Sequence, residues 1–260
     1  SRQAGSVEPD GGVIGATPRY ASLWSGTAGS WVSLHPDQNF WTQSEALVIA
    51  GHQQVGHVIH VNASGPSTSI QRACLWNDTA ASLTFLADAP SSALATSGTH
   101  QVGWVFTGGP GSRASLWSGV ASSRIDLHPA GASHSIARAI RGMQQVGSAD
   151  GHAGLWHGTP ESWVDIHPAL ATSSVALATS GVQQVGAAVV GGQEHASLWG
   201  GTAASWVDLN PAGASSSSAS DVLGSWQVGH ATFSDGTHAG FWSGTAASWE
   251  DLSLSLTGSW

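Results

Sequence analysis

The chain has 260 residues, 41% of them apolar, enough for a packed core and too many for disorder. Only 9% are charged, lysine is absent, and seven arginines stand against sixteen carboxylates for a net charge of -9, so no basic patch exists for a phosphate backbone and nucleic acid is excluded as a partner. No apolar run reaches the roughly 18 residues of a membrane-spanning helix, no segment reads as a signal peptide, and one cysteine cannot form an intrachain disulfide.

One segment is written six times, marked by a Leu-Trp or Phe-Trp pair at Leu23-Trp24, Leu75-Trp76, Leu116-Trp117, Leu155-Trp156, Leu198-Trp199 and Phe241-Trp242. A period of about 40 to 50 residues signals a repeat architecture. Gly51, Gly98, Gly142, Gly181, Gly224 and Gly258 fall in register across the copies. A residue present in every copy serves the fold, so function is sought where one copy breaks the rule.

In chain order, Gln3-Ala4-Gly5 matches the second strand of a copy, and the loop after it carries Glu8 and Asp10. Trp31 opens a fourth strand. The linker that elsewhere reads His-Pro-Ala-Gly-Ala-Ser becomes His35-Pro36-Asp37-Gln38-Asn39-Phe40-Trp41-Thr42-Gln43. The next first strand holds Glu45 where other copies have Ser, Leu, Ile or Val, and the loop after Gly56 carries His60 and Asn62. Cys74 takes the place of a Ser or Gly, as a small buried hydrophobe does.

The later copies are the fullest. Residues 135–139 read as a first strand of alternating small side chains, with Arg138 in place of Leu, and residues 144–147 as a second. Residues 195–199 make a third, closed by the turn 200–204, and residues 206–209 a fourth, ended by Asn210-Pro211. Asp221 is a further charge on a first strand. Each segment is strand length and bounded by turn formers, and nowhere does a 3.6-residue period persist long enough for a helix.

Four strands in about 43 residues, six times over, predict an all-β fold: a six-bladed β-propeller of four-stranded antiparallel blades in one domain, 1–260. The chain ends on Leu256-Thr257-Gly258-Ser259-Trp260, which matches the first strand at Val222-Leu223-Gly224-Ser225-Trp226. This predicts that the C-terminal strand joins the N-terminal blade and closes the ring.

The copies resemble the bacterial HAF-type extracellular repeat in His195-Ala196-Ser197-Leu198-Trp199, in Asp208-Leu209 and in Gly181-Val182-Gln183-Gln184-Val185-Gly186. The family's Phe is Ser, Cys or Gly here, and its Gln-Val-Val-Gly reads Gln-Gln-Val-Gly. The resemblance implies a secreted or surface-associated bacterial protein and brings no catalytic residues with it.

The loops expected at one end of the ring are uniform and those at the other vary, which makes the variable end the expected binding face. The candidate ligand-binding residues there are Asp10, His35, Asp37, Asn39, Phe40, Trp41, Glu45, His60 and Asn62, with Arg138 expected in mid-channel. An aromatic pair beside amides and carboxylates is the chemistry of a sugar site. His152, His195 and His238 share one repeat position and His35, His128 and His167 another, so no metal site is expected; Asp126, Asp165, Asp208 and Asp251 recur as turn or cap residues. No cofactor motif occurs.

The leading expectation is an extracellular, non-catalytic, lectin-like binding or structural protein whose partner is a glycan or cell-surface component, without membrane insertion and with its oligomeric state open. The alternative is a hydrolase or lyase with an axial site around Glu45, His35 and Asp37. A subunit of an extracellular assembly is a third reading.

Overall fold

A computed structural model describes residues 2–8, 18–36, 40–61, 69–109 and 111–253. Among these residues the regular structure is strand, interrupted by single turns of 3-10 helix such as Ala203–Ser205. The chain divides into two compact units, Ser1–Leu127 and His128–Trp260.

In the first unit the opening sheet has three strands, β1 (Gln3–Val7), β2 (Tyr20–Trp24) and β3 (Val32–Ser33). The second sheet runs β4 (Gln43–Ala50), β5 (Gln53–His60), β6 (Ile70–Asn77) and β7 (Thr84–Phe85). The third runs β8 (Ser91–Thr96), β9 (Gln101–Phe106), β10 (Ser112–Trp117) and β11 (Ile125–Asp126).

The second unit repeats the pattern with β12 (Ser135–Arg141), β13 (Gln144–Ala149), β14 (His152–Trp156) and β15 (Val164–Asp165), then β16 (Ala171–Thr179), β17 (Gln184–Val190), β18 (Gln193–Trp199) and β19 (Val207–Asp208). Its last sheet is β20 (Ser216–Leu223), β21 (Trp226–Phe233), β22 (Gly236–Trp242) and β23 (Glu250–Asp251). Every strand pairs antiparallel with its sequence neighbour, so each sheet is an up-and-down meander. The strand expected from residues 256–260 lies outside the described residues.

The repeated residues each answer a local need. In every four-stranded sheet the first strand bulges, and one glycine of the second strand faces two residues across the pair. A Cβ on Gly56, Gly103 or Gly147 would stand 1.9 Å from the carbonyl oxygen of Glu45, Ser92 or Ile136, so only glycine fits the last place of Gln-Val-Gly. The glutamine of that motif pins a turn: Gln145 Oε1 accepts from the Gly158 N–H at 2.8 Å, as Gln184 does from Gly201 and Gln227 from Gly244.

The serine closing each 3-10 turn does two tasks. Ser205 Oγ accepts from the Gly200 N–H at 2.8 Å and donates to the Thr202 carbonyl at 2.6 Å. Behind these turns the third-strand tryptophans Trp76, Trp117, Trp156, Trp199 and Trp242 are fully buried. Trp199 of β18, for example, packs between neighbouring sheets of the second unit, joining Val146, Leu155 and Ile166 of the sheet before it. The repeated Leu-Trp pair read from the sequence is therefore core in the later copies, while Trp24 of the first is only partly buried.

Candidate functional site

Most polar side chains repeat with the fold and are satisfied by it. His128 Nδ1 lies 2.8 Å from Ser135 Oγ, and His167 Nδ1 lies 2.7 Å from Ser174 Oγ, the latter tying the end of the β12–β15 sheet to the first strand of the next. His35 makes the same contact, 2.8 Å from Ser44 Oγ, and its ring stacks on Tyr20 at 4.1 Å. The fold thus accounts for His35 without a ligand. His152 and His195 each place Nδ1 2.8 Å from Asp165 or Asp208, and His238 pairs likewise with Asp251. These aspartates also cap the turn that follows: Asp165 Oδ1 accepts from the His167 N–H, and Asp208 Oδ1 from that of Asn210.

The copy that breaks the rule does so at Glu45. On β4 it faces His57 of β5 in register, and Arg19 Nη1, just before β2, donates to its Oε1 at 2.9 Å. His57 Nε2 lies 3.7 Å from Glu45 Oε2, and His57 Nδ1 lies 3.1 Å from Ser92 Oγ on β8. A guanidinium, a carboxylate, an imidazole and a hydroxyl therefore form one line across the three sheets of the first unit. Three other copies place Trp104, Ser148 and Ala187 where His57 stands, and the last pairs His230 with Ser218 instead of a carboxylate, so the line is not a product of the repeat.

Burial shapes the electrostatics of this line. Desolvation pushes the His57 imidazole below its ordinary 6.5, against the pull of Glu45, so it is neutral at pH 7 and able to take a proton. The hydrogen bond to Glu45 raises Arg19 further, and the pair leaves no isolated charge. The Glu45 side chain keeps 22% of its exposure and Arg19 55%, whereas Ser92 keeps only 2%. The polar end open to a ligand is thus Arg19 and Glu45, with His57 and Ser92 behind them. A hydroxyl, imidazole and carboxylate in this order are the components of a nucleophile, base and orienting group, here with the hydroxyl enclosed.

Phe40, Trp41 and His60 come together nearby. Phe40 stacks on His60 at 4.0 Å and meets the edge of Trp41 at 4.9 Å. Trp41 itself is 6% exposed and packs with Leu34, Cys74 and Trp76, so it belongs to the core, while Phe40 is 48% exposed. His60 closes β5 and is not in the loop expected there. Asp10, Asp37, Asn39 and Asn62 lie outside the described residues.

Arg138 sits in the other unit, at the bulge of β12, with its Nε buried and lacking a hydrogen-bond partner among the described residues. Asp221 lies within β20, and its Oδ1 accepts from the adjacent Val222 N–H at 2.8 Å. Among the described residues no three His, Cys, Asp or Glu side chains converge as metal ligands, and no helix is long and apolar enough to cross a membrane. Sequence reading missed Arg19, His57 and Ser92; the usable signal was that β5 carries an imidazole in register with the carboxylate that breaks the pattern of β4, where the other histidine at this place, His230, faces Ser218.

Six repeated antiparallel sheets define the class as an all-β, propeller-like fold. No family model matches the chain, and no curated protein sequence matches it. Solved structures do. A puromycin hydrolase superposes with a TM-score of 0.64 at 12% identity, covering 90% of this chain and 42% of that one. A puromycin hydrolase mutant complexed with PGG gives 0.63 at 13%, with the same coverage. A Mycobacterium tuberculosis puromycin-hydrolyzing peptidase gives 0.60 at 13%, covering 97% of this chain and 45% of that one. The chain spans less than half the length of these structures. The expectation of a non-catalytic, lectin-like protein is corrected by these neighbours, which are hydrolases; the hydrolase alternative accords with them better.

Proposed function

We propose that this chain is the propeller portion of a peptidase-related hydrolase, and that Arg19 and Glu45 present its substrate-handling groups. The observation that carries the reading is the meeting of Arg19, Glu45, His57 and Ser92 on a fold similar to that of puromycin hydrolases. The partly exposed carboxylate receives amide N–H or ammonium groups of a peptide, the guanidinium receives its carbonyl oxygens, and neutral His57 behind them takes up a proton.

The ring closure read from the sequence belongs to the same proposal. Val55, Val102, Val146 and Val185 are fully buried, whereas Val228, their counterpart on β21, is 44% exposed, so the last sheet has an apolar face in need of a partner. In a closed ring the opening sheet supplies that partner and residues 256–260 the first, innermost strand of that sheet. Slow hydrogen exchange of the amides of residues 256–260 supports closure, and exchange at the rate of a free peptide argues against it. The HAF-like motif supports a secreted or surface-exposed setting.

The function is tested by titrating the chain with short peptides and a glycan array, and by assaying peptide amides for hydrolysis, with Glu45→Gln alongside. Peptide binding or turnover that falls by about tenfold or more in the variant supports the reading. Glycan binding with no response to any peptide would overturn it.

A further inference from the structure

Five of the seven arginines lie within 4 Å of a carboxylate: Arg2, Arg19, Arg72, Arg113 and Arg124. The other two, Arg138 and Arg141, are both on β12, and neither has such a partner among the described residues. In a chain with more than two carboxylates per arginine, two unpaired guanidiniums on one strand are a departure that composition does not explain.

Arg141 borders a cleft of about 480 Å³ at the turn ends of the second unit. Ser180, Val182 and Gln183 line it from the turn between β16 and β17, Val222 and Leu223 from the end of β20, and Ser225 from the turn after it. Val182 is 77% exposed and Leu223 74%, so the wall is apolar and open. The fold does not require this composition. The glycine of this turn is common to the copies, but the residue before it is Ala50, Ser97, Arg141, Ser180, Leu223 or Thr257. The cation and its apolar surroundings are particular to these sheets.

We propose that this cleft is a carboxylate-binding site, taking the free C-terminal carboxylate of a peptide that ends in an apolar residue. Arg141 offers its planar fork to the two carboxylate oxygens, and Val182 and Leu223 cover the terminal side chain. The net charge of -9 disfavours polyanions, which leaves a singly charged ligand. The volume falls in the range of about 300–1,000 Å³ usual for small-ligand sites. The peptide as carrier rests on the peptidase-related reading; the pairing of carboxylate with an apolar group does not.

The test is calorimetric titration of the full chain with acetyl-Leu-Leu as the free acid, with the same peptide as its C-terminal amide, and with hydrocinnamate. The expected result is binding of the acid, weakened about tenfold or more in the amide and in Arg141→Gln, with partial recovery in Arg141→Lys. Arg141 is exposed, so the variants keep the wild-type melting temperature. Equal binding of acid and amide, or an Arg141→Gln titration that matches wild type, overturns the site. Hydrocinnamate binding that depends on Arg141, without peptide binding, keeps the carboxylate site and overturns the peptide as its ligand. Glu45→Gln separates the two proposals: it lowers peptide handling at Glu45 and leaves the hydrocinnamate titration as it was.

Discussion

His57 Nδ1 stands 3.1 Å from Ser92 Oγ, joining the second strand of one sheet to the first strand of the next. The contact sits in a desolvated setting that keeps the imidazole neutral. Because the folded-state value lies below that of the unfolded chain, protonation favours unfolding. The contribution is complete above pH 6.5 and is lost as pH falls below it. The melting temperature of wild type relative to His57→Asn is therefore expected to fall between pH 8 and pH 5; a constant difference would contradict the assignment.

The glycine of Gln-Val-Gly gives a sharper test of the fold. Gly56→Ala would put a Cβ 1.9 Å from the Glu45 carbonyl oxygen, and rigid backbone cannot yield as a side chain can. A loss of about 3 kcal/mol or more is expected in denaturant titration. Gly29→Ala is the control: a Cβ there meets nothing within 4 Å, and the other 3-10 turns carry Ala, Ser or Glu in that place. It should be neutral or stabilise by up to about 1 kcal/mol.

Gln145→Ala removes the acceptor of the buried Gly158 N–H and the donor to the Met143 carbonyl. A buried amide left without a partner costs about 1–3 kcal/mol, so this variant should unfold at lower denaturant. Met143 is 53% exposed, and Met143→Gln should change stability little.

The hydrogen bond to Asp251 raises His238 above 6.5, and the bond from His238 lowers Asp251 below 3.8. The pair stabilises when both are charged. Its contribution is lost as pH rises through the raised histidine value and as it falls through the lowered aspartate value. In Asp251→Asn the His238 ring, followed by NMR titration, should return toward 6.5; an unmoved midpoint would place the cause elsewhere.

Cys74 is fully buried among Leu34, Trp41 and Trp76, and burial pushes its thiol well above the ordinary value. The native protein should resist a thiol reagent and react fully once denatured. Rapid labelling of the native chain would show the packing of the first unit to be looser than described.

Sequence alone was enough for the strand pattern and its punctuation. The period of the Leu-Trp pairs, the turn glycines and the missing helical period follow from residue types at short range, where a bulge needs Gly56 or Gly147 and a turn needs Ser205. The site was legible only in half. Glu45 stood out because it breaks its copy, but Arg19 precedes it by 26 residues and Ser92 follows by 47, and only the stacking of sheets brings them to His57. The same holds for the demotion of His35 and Trp41, whose places in a serine clamp and in the core depend on neighbours from other strands. Which arginines lack a carboxylate was likewise a matter for the tertiary structure, because pairing depends on distance in space, which the order of residues along the chain does not record.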